Sequence, residues 1–499
     1  MHLNYLPWAS PAAGSDRPCM QDATRVFSYQ EVEDRASAFA EQLELRGVGE
    51  GDVLAIMLPN SLELLIGMLG AWWAGAAVTP VNPTFTEREL DYQLADSGAK
   101  LLLASPGTVA GIDMITPEQM RERPVGGAAS SKRPEIAGNR LALLVYTSGS
   151  TGQPKGVMLD HCNAQAMTSQ MVEAFALTET DHALLVLPLF HVNSIMVSFL
   201  SPISVGGRVT VLDRFQPDTF LAAIEQFRPS YFSAVPAIYA RLAELPESTL
   251  LDASSLRFAI CGAAPVSKEL LERVEQRFGI SLVEGYGLTE GTCASACNPV
   301  VGVRKPGTVG RVLSGQRIAI VDTEGNEVAP GQRGEVVISG PTIMRGYLGR
   351  PEATADAIRD GWLHTGDVGI LDEDGYLSIV DRIKDMIIRG GENIYPKEIE
   401  GVLAGHEAVL EAAVIGAPHA LLGEVPVAEV VLMPGADVTA EQLLEHCRGQ
   451  LAKIKVPVRM RIVSDLPRNP VGKVDKPRMR REAAPVEVPV TSSIEVPRV

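Results

Sequence analysis

Apolar positions along the chain follow two periods in turn, and their alternation outlines the fold. Val32, Ala36, Phe39, Ala40 and Leu43 recur at helical spacing, and Gly47 supplies the stop. "DVLAIML" (52–58) is a short apolar run of the kind that fills a buried strand. The stretch from Leu64 to Thr86 carries no charge, but its apolar part ends near Val78. That is shorter than the ~20 residues a membrane helix needs. With Gly67, Gly70, Gly75, Pro80 and Pro83 it predicts a close-packed buried helix running into a strand and a turn, not a membrane span. No basic region with a cleavage site precedes it, so no signal peptide is expected.

Further apolar runs follow at "ALLVY" (142–146), "ALLVLPLF" (183–190), "RVTVL" (208–212), "YFSAV" (231–235) and "LRFAI" (256–260), separated by helical stretches. Asp160 is placed to cap a helix reaching about Ala176. Strand alternating with helix predicts a layered α/β architecture. From about 301 to 380 the texture shifts to short strands with frequent turns, which predicts a small antiparallel or barrel-like subdomain. After about 384 a new α+β unit begins, with Thr439 and Gln442 spaced as a capping box for a helix through about Leu451. The expected organisation is an N-terminal domain over 1–383, a small mobile C-terminal domain over 384–482, and a disordered Pro/Val/Ser/Thr-rich tail over 483–499.

Composition narrows the function. At 499 residues, with 46% hydrophobic and 21% charged residues, the chain reads as a soluble protein of two or more domains. A formal net charge of −17 argues against nucleic acid as a partner. The six cysteines have neither C-x-x-C nor zinc-ligand spacing, as expected of reduced thiols in a cytoplasmic protein. "DEDG" (372–375) starts like a calcium loop but lacks the later ligands, so it is expected to be a hairpin turn.

The chemistry concentrates in "LLVYTSGSTGQPKGVML" (143–159), where four serine and threonine hydroxyls, three glycines and Lys155 sit between apolar runs. Small residues let backbone N–H groups close on an anion, and Lys155 adds charge. The spacing is not that of a Walker A loop, because Pro154 precedes Lys155 and Gly156 follows it.

Five stretches in order, "YTSGSTGQPKGV" (146–157), "EGYGLTEG" (284–291), "GWLHTGDVG" (361–369), "IVDRIKDMIIRGGENIYPKEIE" (379–400) and "PRNPVGKVDK" (467–476), closely resemble the adenylate-forming superfamily. That superfamily comprises acyl- and aryl-CoA synthetases, adenylation domains and luciferases. The resemblance covers roughly residues 20 to 482. It implies that ATP and a carboxylic acid form an acyl-adenylate with release of pyrophosphate, and that a thiol then displaces AMP. On that resemblance Thr147, Ser148, Gly149, Ser150, Thr151, Gly152 and Lys155 cradle the departing pyrophosphate. Tyr286 lies against the adenine ring, with Gly285 and Gly287 of the same nucleotide motif also contributing to the acid-pocket wall, Thr289 donates to the α-phosphate, and Glu290 holds Mg²⁺. Asp367 accepts the ribose hydroxyls, Arg382 contacts the ribose from the domain junction, and Lys473 neutralises charge at the reacting centre. His191, Asn193, Val235, Gly262, Ala263 and Ala264 line the acid pocket, His191 also gating the CoA tunnel. Gly390 and Gly391 approach the pantetheine of CoA, and Lys384 is the hinge about which the C-terminal domain swings.

The basic cluster of Arg468, Lys476, Arg478, Arg480 and Arg481 then reads as a local answer to anionic ligands. No aspartate follows His191 where amino-acid-activating relatives keep one, and the pocket residues are small or apolar. A fatty or aryl acid is therefore expected. A free-standing enzyme loading a carrier-protein phosphopantetheine arm is the alternative. A non-catalytic nucleotide sensor is disfavoured by the presence of Lys155, Glu290 and Lys473.

Overall fold

The computed structural model describes residues 3–122, 133–147, 153–263, 266, 268–468 and 474–483. It forms two compact units, one of residues 1–319, 337–365 and 371–377, the other of 320–336, 366–370 and 378–499.

The first unit is built on two large sheets. One runs in the order Arg311–Val312, Ala296–Cys297, Leu282–Tyr286, Phe258–Cys261, Tyr231–Ala234, His182–Leu185, Arg208–Val211, Pro18–Gln21, Val26–Ser28. Its central strands are parallel, from Leu282–Tyr286 through Pro18–Gln21, and its ends are antiparallel. The other runs Gly346–Tyr347, Lys155–Asp160, Leu141–Thr147, Ala77–Pro80, Val53–Met57, Leu101–Ala104, Met114–Ile115. The four strands from Ala77–Pro80 onward are parallel to Leu141–Thr147, and the first two form an antiparallel ribbon against it. Buried parallel strands need apolar residues on both faces, which is why Val53–Met57 and Leu101–Ala104 are buried along their whole length.

The charge-free stretch forms the helix Leu62–Trp73, buried at every residue. Gly67 and Gly70 allow close packing, since a Cβ at either would come within 2.7 Å of Leu103 or Phe39. Trp72 Nε1 donates to the Ala142 carbonyl at 2.8 Å and ties this helix to the second sheet. No described helix is long and apolar enough to cross a membrane. The helices Tyr29–Leu45 and His161–Phe175 match the periodic segments, the second entered through an Asp160–Asn163 capping box.

Two elements differ from the sequence expectation. The run at 183–190 is a strand only over His182–Leu185. Beyond it Asn60 takes over the backbone, donating to the carbonyls of Leu187 (3.0 Å) and Leu212 (3.1 Å) and accepting from Leu189 N (2.9 Å). The residues after His191 form a buried π-helix, Ser194–Leu200, which apolar periodicity alone does not reveal.

The β-rich stretch near 301–380 forms short strands and is shared between the units, with 320–336 and 366–370 in the second. "DEDG" is a turn, in which Asp372 Oδ1 accepts from the backbone of Asp374 and Tyr376, and Lys305 pairs with Asp372 and Asp374 at 2.6 Å each. The second unit contains a sheet in the order Glu392–Ile394, Ile387–Arg389, Gly423–Leu432, Val409–His419, with Arg459–Ile462 parallel to Gly423–Leu432. Helices Pro396–Ala404 and Ala440–Gln450 bury Ile399, Leu403 and Leu443 against Ile387, Ile394, Val414 and Val430. The Thr439–Gln442 capping box is formed.

Candidate active site

In open α/β sheets, ligands settle beyond the carboxyl ends of parallel strands. Four neighbouring parallel strands of the nine-stranded sheet lead into the sequence-predicted pocket residues. Val235 follows Tyr231–Ala234, Gly262 and Ala263 follow Phe258–Cys261, Gly285 and Tyr286 end Leu282–Tyr286, and His191 and Asn193 follow His182–Leu185. The topology thus gathers positions that are up to a hundred residues apart in sequence. The His191 ring lies against Phe190, centroids 4.5 Å apart. Asn193 leads into the π-helix, and its Oδ1 is buried with no hydrogen-bond partner among the described residues. Ala263 holds a left-handed backbone, φ 65°. Ala264 lies outside the described residues.

The hydroxyl-rich segment joins two strands whose feet are paired, Thr147 opposite Lys155 and Tyr146 opposite Gly156. Both feet are anchored. Tyr146 donates to Asp96 Oδ2 at 2.8 Å, Arg350 pairs with Asp96 Oδ1 at 2.8 Å, and Tyr92 donates to the Pro154 carbonyl at 2.8 Å. Ser148, Gly149, Ser150, Thr151 and Gly152 lie outside the described residues, as does Lys473.

Glu290 sits in the short turn Thr289–Gly291, just past strand Leu282–Tyr286. The chain folds back so closely there that a Cβ on Gly287 would lie 1.9 Å from the Cys293 carbonyl oxygen, so only glycine fits. Ser295 N donates to the Tyr286 carbonyl and Met344 N to the Glu290 carbonyl, each at 2.8 Å. The Glu290 carboxylate accepts from the Tyr347 hydroxyl at 2.8 Å, and the Lys155 ammonium lies 5.0 Å from the Tyr347 ring centroid. Burial, and then the adjacent Glu290 carboxylate, push the Tyr347 phenol well above its ordinary pKa. Lys155, Glu290 and Tyr347 therefore meet, although 192 positions separate the first from the last.

Tyr347, which touches both Glu290 and Lys155, is the residue of this cluster that sequence reasoning missed. The signal lay in "RGYLGRPEAT", where a Gly-Tyr pair interrupts a polar stretch. A Cβ on Gly346 would come 2.7 Å from Thr354. Glu284, two residues before Tyr286, was also passed over. Burial raises its carboxyl to about 7.

Among the described residues no group of three or more His, Cys, Asp or Glu is arranged to hold a metal ion. A single carboxylate such as Glu290 still suits Mg²⁺, which dehydrates reluctantly and is commonly held by one or two carboxylates plus substrate phosphates.

In the second unit Asp367 is buried, and its Oδ1 accepts from Arg382 Nε at 2.7 Å. The neighbouring Asp381, also buried, accepts from the backbone N–H of Arg382 and Lys397 at 2.8 and 2.9 Å. Lys384 is exposed in the turn Ile383–Asp385, beside an Asp385–Arg480 pair of 2.7 Å. Gly390 and Gly391, φ 61° and 89°, form the two-residue turn between strands Ile387–Arg389 and Glu392–Ile394. Two successive positive φ values are those of a tight hairpin turn that favours glycine.

Open parallel strands, a strand pair that brings Lys155 to the Tyr347–Glu290 contact, and a small α+β unit suit a nucleotide-dependent enzyme of the adenylate-forming class. The model of the AMP-binding enzyme family matches residues 8–348, and that of the AMP-binding enzyme C-terminal domain matches 398–473. A feruloyl-CoA synthase from Amycolatopsis sp is 38% identical over 461 residues, 91% of this chain and 94% of the relative. A long-chain-fatty-acid–CoA ligase from Bacillus subtilis (strain 168) is 33% identical, covering 95% of this chain and 93% of its own. Among solved structures, ATP-bound MatB from Rhodopseudomonas palustris superposes with a TM-score of 0.89 at 33% identity, covering 94% of this chain and 96% of that one. The o-succinylbenzoate CoA synthetase MenE from Bacillus subtilis, with the acyl-adenylate OSB-AMP, gives 0.85 at 31%, covering 95% and 97%. The chain belongs to the AMP-binding enzyme family and is of the acyl-CoA synthetase type.

Proposed function

We propose that this protein is a cytoplasmic, AMP-forming ligase that joins a fatty or aryl carboxylic acid to CoA. The meeting of Lys155, Glu290 and Tyr347 at the foot of the hairpin is the observation that carries the reading, because a cation and a carboxylate around one side chain suit a triphosphate and its magnesium ion.

In the first half-reaction a carboxylate oxygen of the acid attacks the α-phosphorus, and the bond to the bridging oxygen of pyrophosphate breaks. Such transfers are catalysed mainly by positioning and charge stabilisation. Thr147, Ser148, Ser150, Thr151 and Lys155 take the departing charge, with the backbone of Gly149 and Gly152 closing on it. Gly285, Tyr286 and Gly287 wall the adenine, Thr289 donates to the α-phosphate, and Asp367, released from Arg382, accepts the ribose hydroxyls. Lys473 donates to the α-phosphate and the attacking carboxylate. Glu290 would hold the magnesium ion that accompanies the phosphates, and that ion would supply charge neutralisation when bound.

In the second half-reaction the CoA sulfur attacks the acyl carbon, AMP leaves on its phosphate oxygen, and the thiol proton passes to solvent. Gly390 and Gly391 line the pantetheine path after the C-terminal domain, from about 384 to 482, turns about Lys384. His191, Asn193, Val235, Gly262, Ala263 and Ala264 shape the acid site. The unpartnered Asn193 acceptor favours an aryl acid bearing a hydrogen-bond donor over a plain alkyl chain, and the feruloyl-CoA synthase relative points the same way.

The test is a panel of hydroxylated cinnamic, benzoic and saturated fatty acids with ATP and either CoA or a holo-carrier protein. Pyrophosphate and acyl-CoA formed from a hydroxyaryl acid support the reading. Transfer only to the carrier, or no pyrophosphate with any acid, refutes it.

A further inference from the structure

Three side chains from distant parts of the first unit converge beside the hairpin. Lys155 opens strand Lys155–Asp160, Glu290 lies in the turn Thr289–Gly291, and Tyr347 ends the two-residue strand Gly346–Tyr347 that pairs with Met158 and Val157. The tyrosine backbone is pinned, with Tyr347 N donating to Thr354 Oγ1 at 2.9 Å and Leu348 N to the Gly156 carbonyl at 2.8 Å. Its hydroxyl donates to Glu290 Oε1 at 2.8 Å, and its ring lies 5.0 Å from the Lys155 ammonium.

We propose that Tyr347 is a positioning residue for ATP binding: its hydroxyl sets the Glu290 carboxylate for magnesium, while its ring face holds Lys155 toward the phosphates. The proposal rests on the roles given to Glu290 and Lys155 above. A glutamate side chain has several free torsions, and a bond to one oxygen from a pinned donor removes that freedom before the metal arrives. The ring attracts the ammonium through its quadrupole without neutralising it, so the positive charge stays available to phosphate oxygens. A hydroxyl that served packing alone needs only some acceptor. Here the acceptor is the residue assigned to the metal, and the cation assigned to the phosphates shares the same ring.

The two halves of the tyrosine separate in two variants of the full chain. Tyr347→Phe keeps the ring and loses the hydroxyl, whereas Tyr347→Leu loses both. Binding of a fluorescent ATP analogue is measured in excess Mg²⁺ and in EDTA, with thermal melting to verify folding and acid-dependent pyrophosphate exchange followed against Mg²⁺ concentration. For Tyr347→Phe, affinity in Mg²⁺ falls about 3- to 10-fold, the scale of one hydrogen bond, while affinity in EDTA is unchanged. The Mg²⁺ concentration giving half-maximal exchange rises in step. For Tyr347→Leu, affinity falls in EDTA as well.

Equal losses with and without Mg²⁺ for Tyr347→Phe, or a lower melting temperature with unchanged binding, overturn the proposal and leave Tyr347 as packing. Wild-type protein that binds nucleotide but exchanges no pyrophosphate with any acid refutes the ligase reading instead, and the Mg²⁺–EDTA contrast still decides Tyr347. Wild-type protein that binds no nucleotide overturns both.

Discussion

The groups proposed to meet phosphate and the groups proposed to meet ribose are prepared in different ways. In the first unit, Glu290 and Lys155 are held by a neutral neighbour, Tyr347, on a backbone fixed at Met344, Leu348 and Gly156. In the second, Asp367 is held by an opposite charge, Arg382. A neutral brace orients a charge without cancelling it, whereas an ion pair cancels it until substrate competes. On the proposed roles, the first arrangement waits for ligand and the second has to be opened by ligand. Asp367 is nearly inaccessible and Arg382 half-exposed, so the arginine is the more solvent-accessible partner.

That contrast can be broken from several sides. Lys473→Ala carries the largest expected effect. It removes a donor at the reacting centre, so adenylate formation should fall by on the order of 10²–10³, while thioester formation from supplied acyl-adenylate is largely kept. Rapid-quench assay of the two half-reactions decides it, and equal loss in both makes Lys473 structural.

Lys384→Pro acts on the second unit alone. Proline fixes φ near −65° and removes a backbone donor in the turn Ile383–Asp385. Pyrophosphate exchange should persist and most thioester formation should vanish. Folded protein in which both or neither half-reaction falls rules out a hinge at 384.

Asp367→Asn and Arg382→Ala sharpen the comparison directly. Losing the anionic acceptor should weaken ATP by roughly one to two orders of magnitude, the scale of a charge-assisted bond, with little change in the acid's KM. Arg382→Ala removes the ion pair but keeps the Asp367 carboxylate, so its effect on ATP affinity should be smaller than that of Asp367→Asn. A larger effect would mean that Arg382 is the main ribose contact and that the pair is no internal lock.

An effect on stability rather than on binding concerns Glu284, whose carboxyl burial raises from an ordinary 4.5 to about 7. Because its folded pKa is the higher, the stability it contributes is present below about 4.5 and is lost as pH rises toward 7. Glu284→Gln should therefore match wild type near pH 4.5 and become the more stable by up to roughly 3 kcal/mol above pH 7. Denaturant midpoints at a series of pH values measure this, and a difference independent of pH contradicts the buried, proton-holding carboxyl.

Much of this was legible in the chain. The helix around Val32 to Leu43, the buried helix after Leu62 and the Asp160 and Thr439 caps follow from local rules of spacing and capping. The motif residues needed the family resemblance, since a lone Glu290 or Asp367 reads as a surface carboxylate. What stayed hidden depends on contacts between distant segments. Asn60 ends the strand at 182–185 from far away in sequence, and Tyr347 acquires meaning only once Gly346–Tyr347 pairs with 157–158. The π-helix at 194–200 escaped because its period is neither 2 nor 3.6.

The central claim is that the hairpin, the Glu290 turn and the pocket at the strand ends serve acid activation followed by transfer to CoA. Purified full-length protein, given Mg²⁺–ATP, a hydroxyaryl acid and CoA, tests it most directly by mass spectrometry of the products. The account predicts AMP, pyrophosphate and the acyl-CoA in equal amounts, with acyl-AMP and pyrophosphate accumulating when CoA is withheld. ADP and phosphate in place of AMP and pyrophosphate, or no acid-dependent product across the panel, would contradict it.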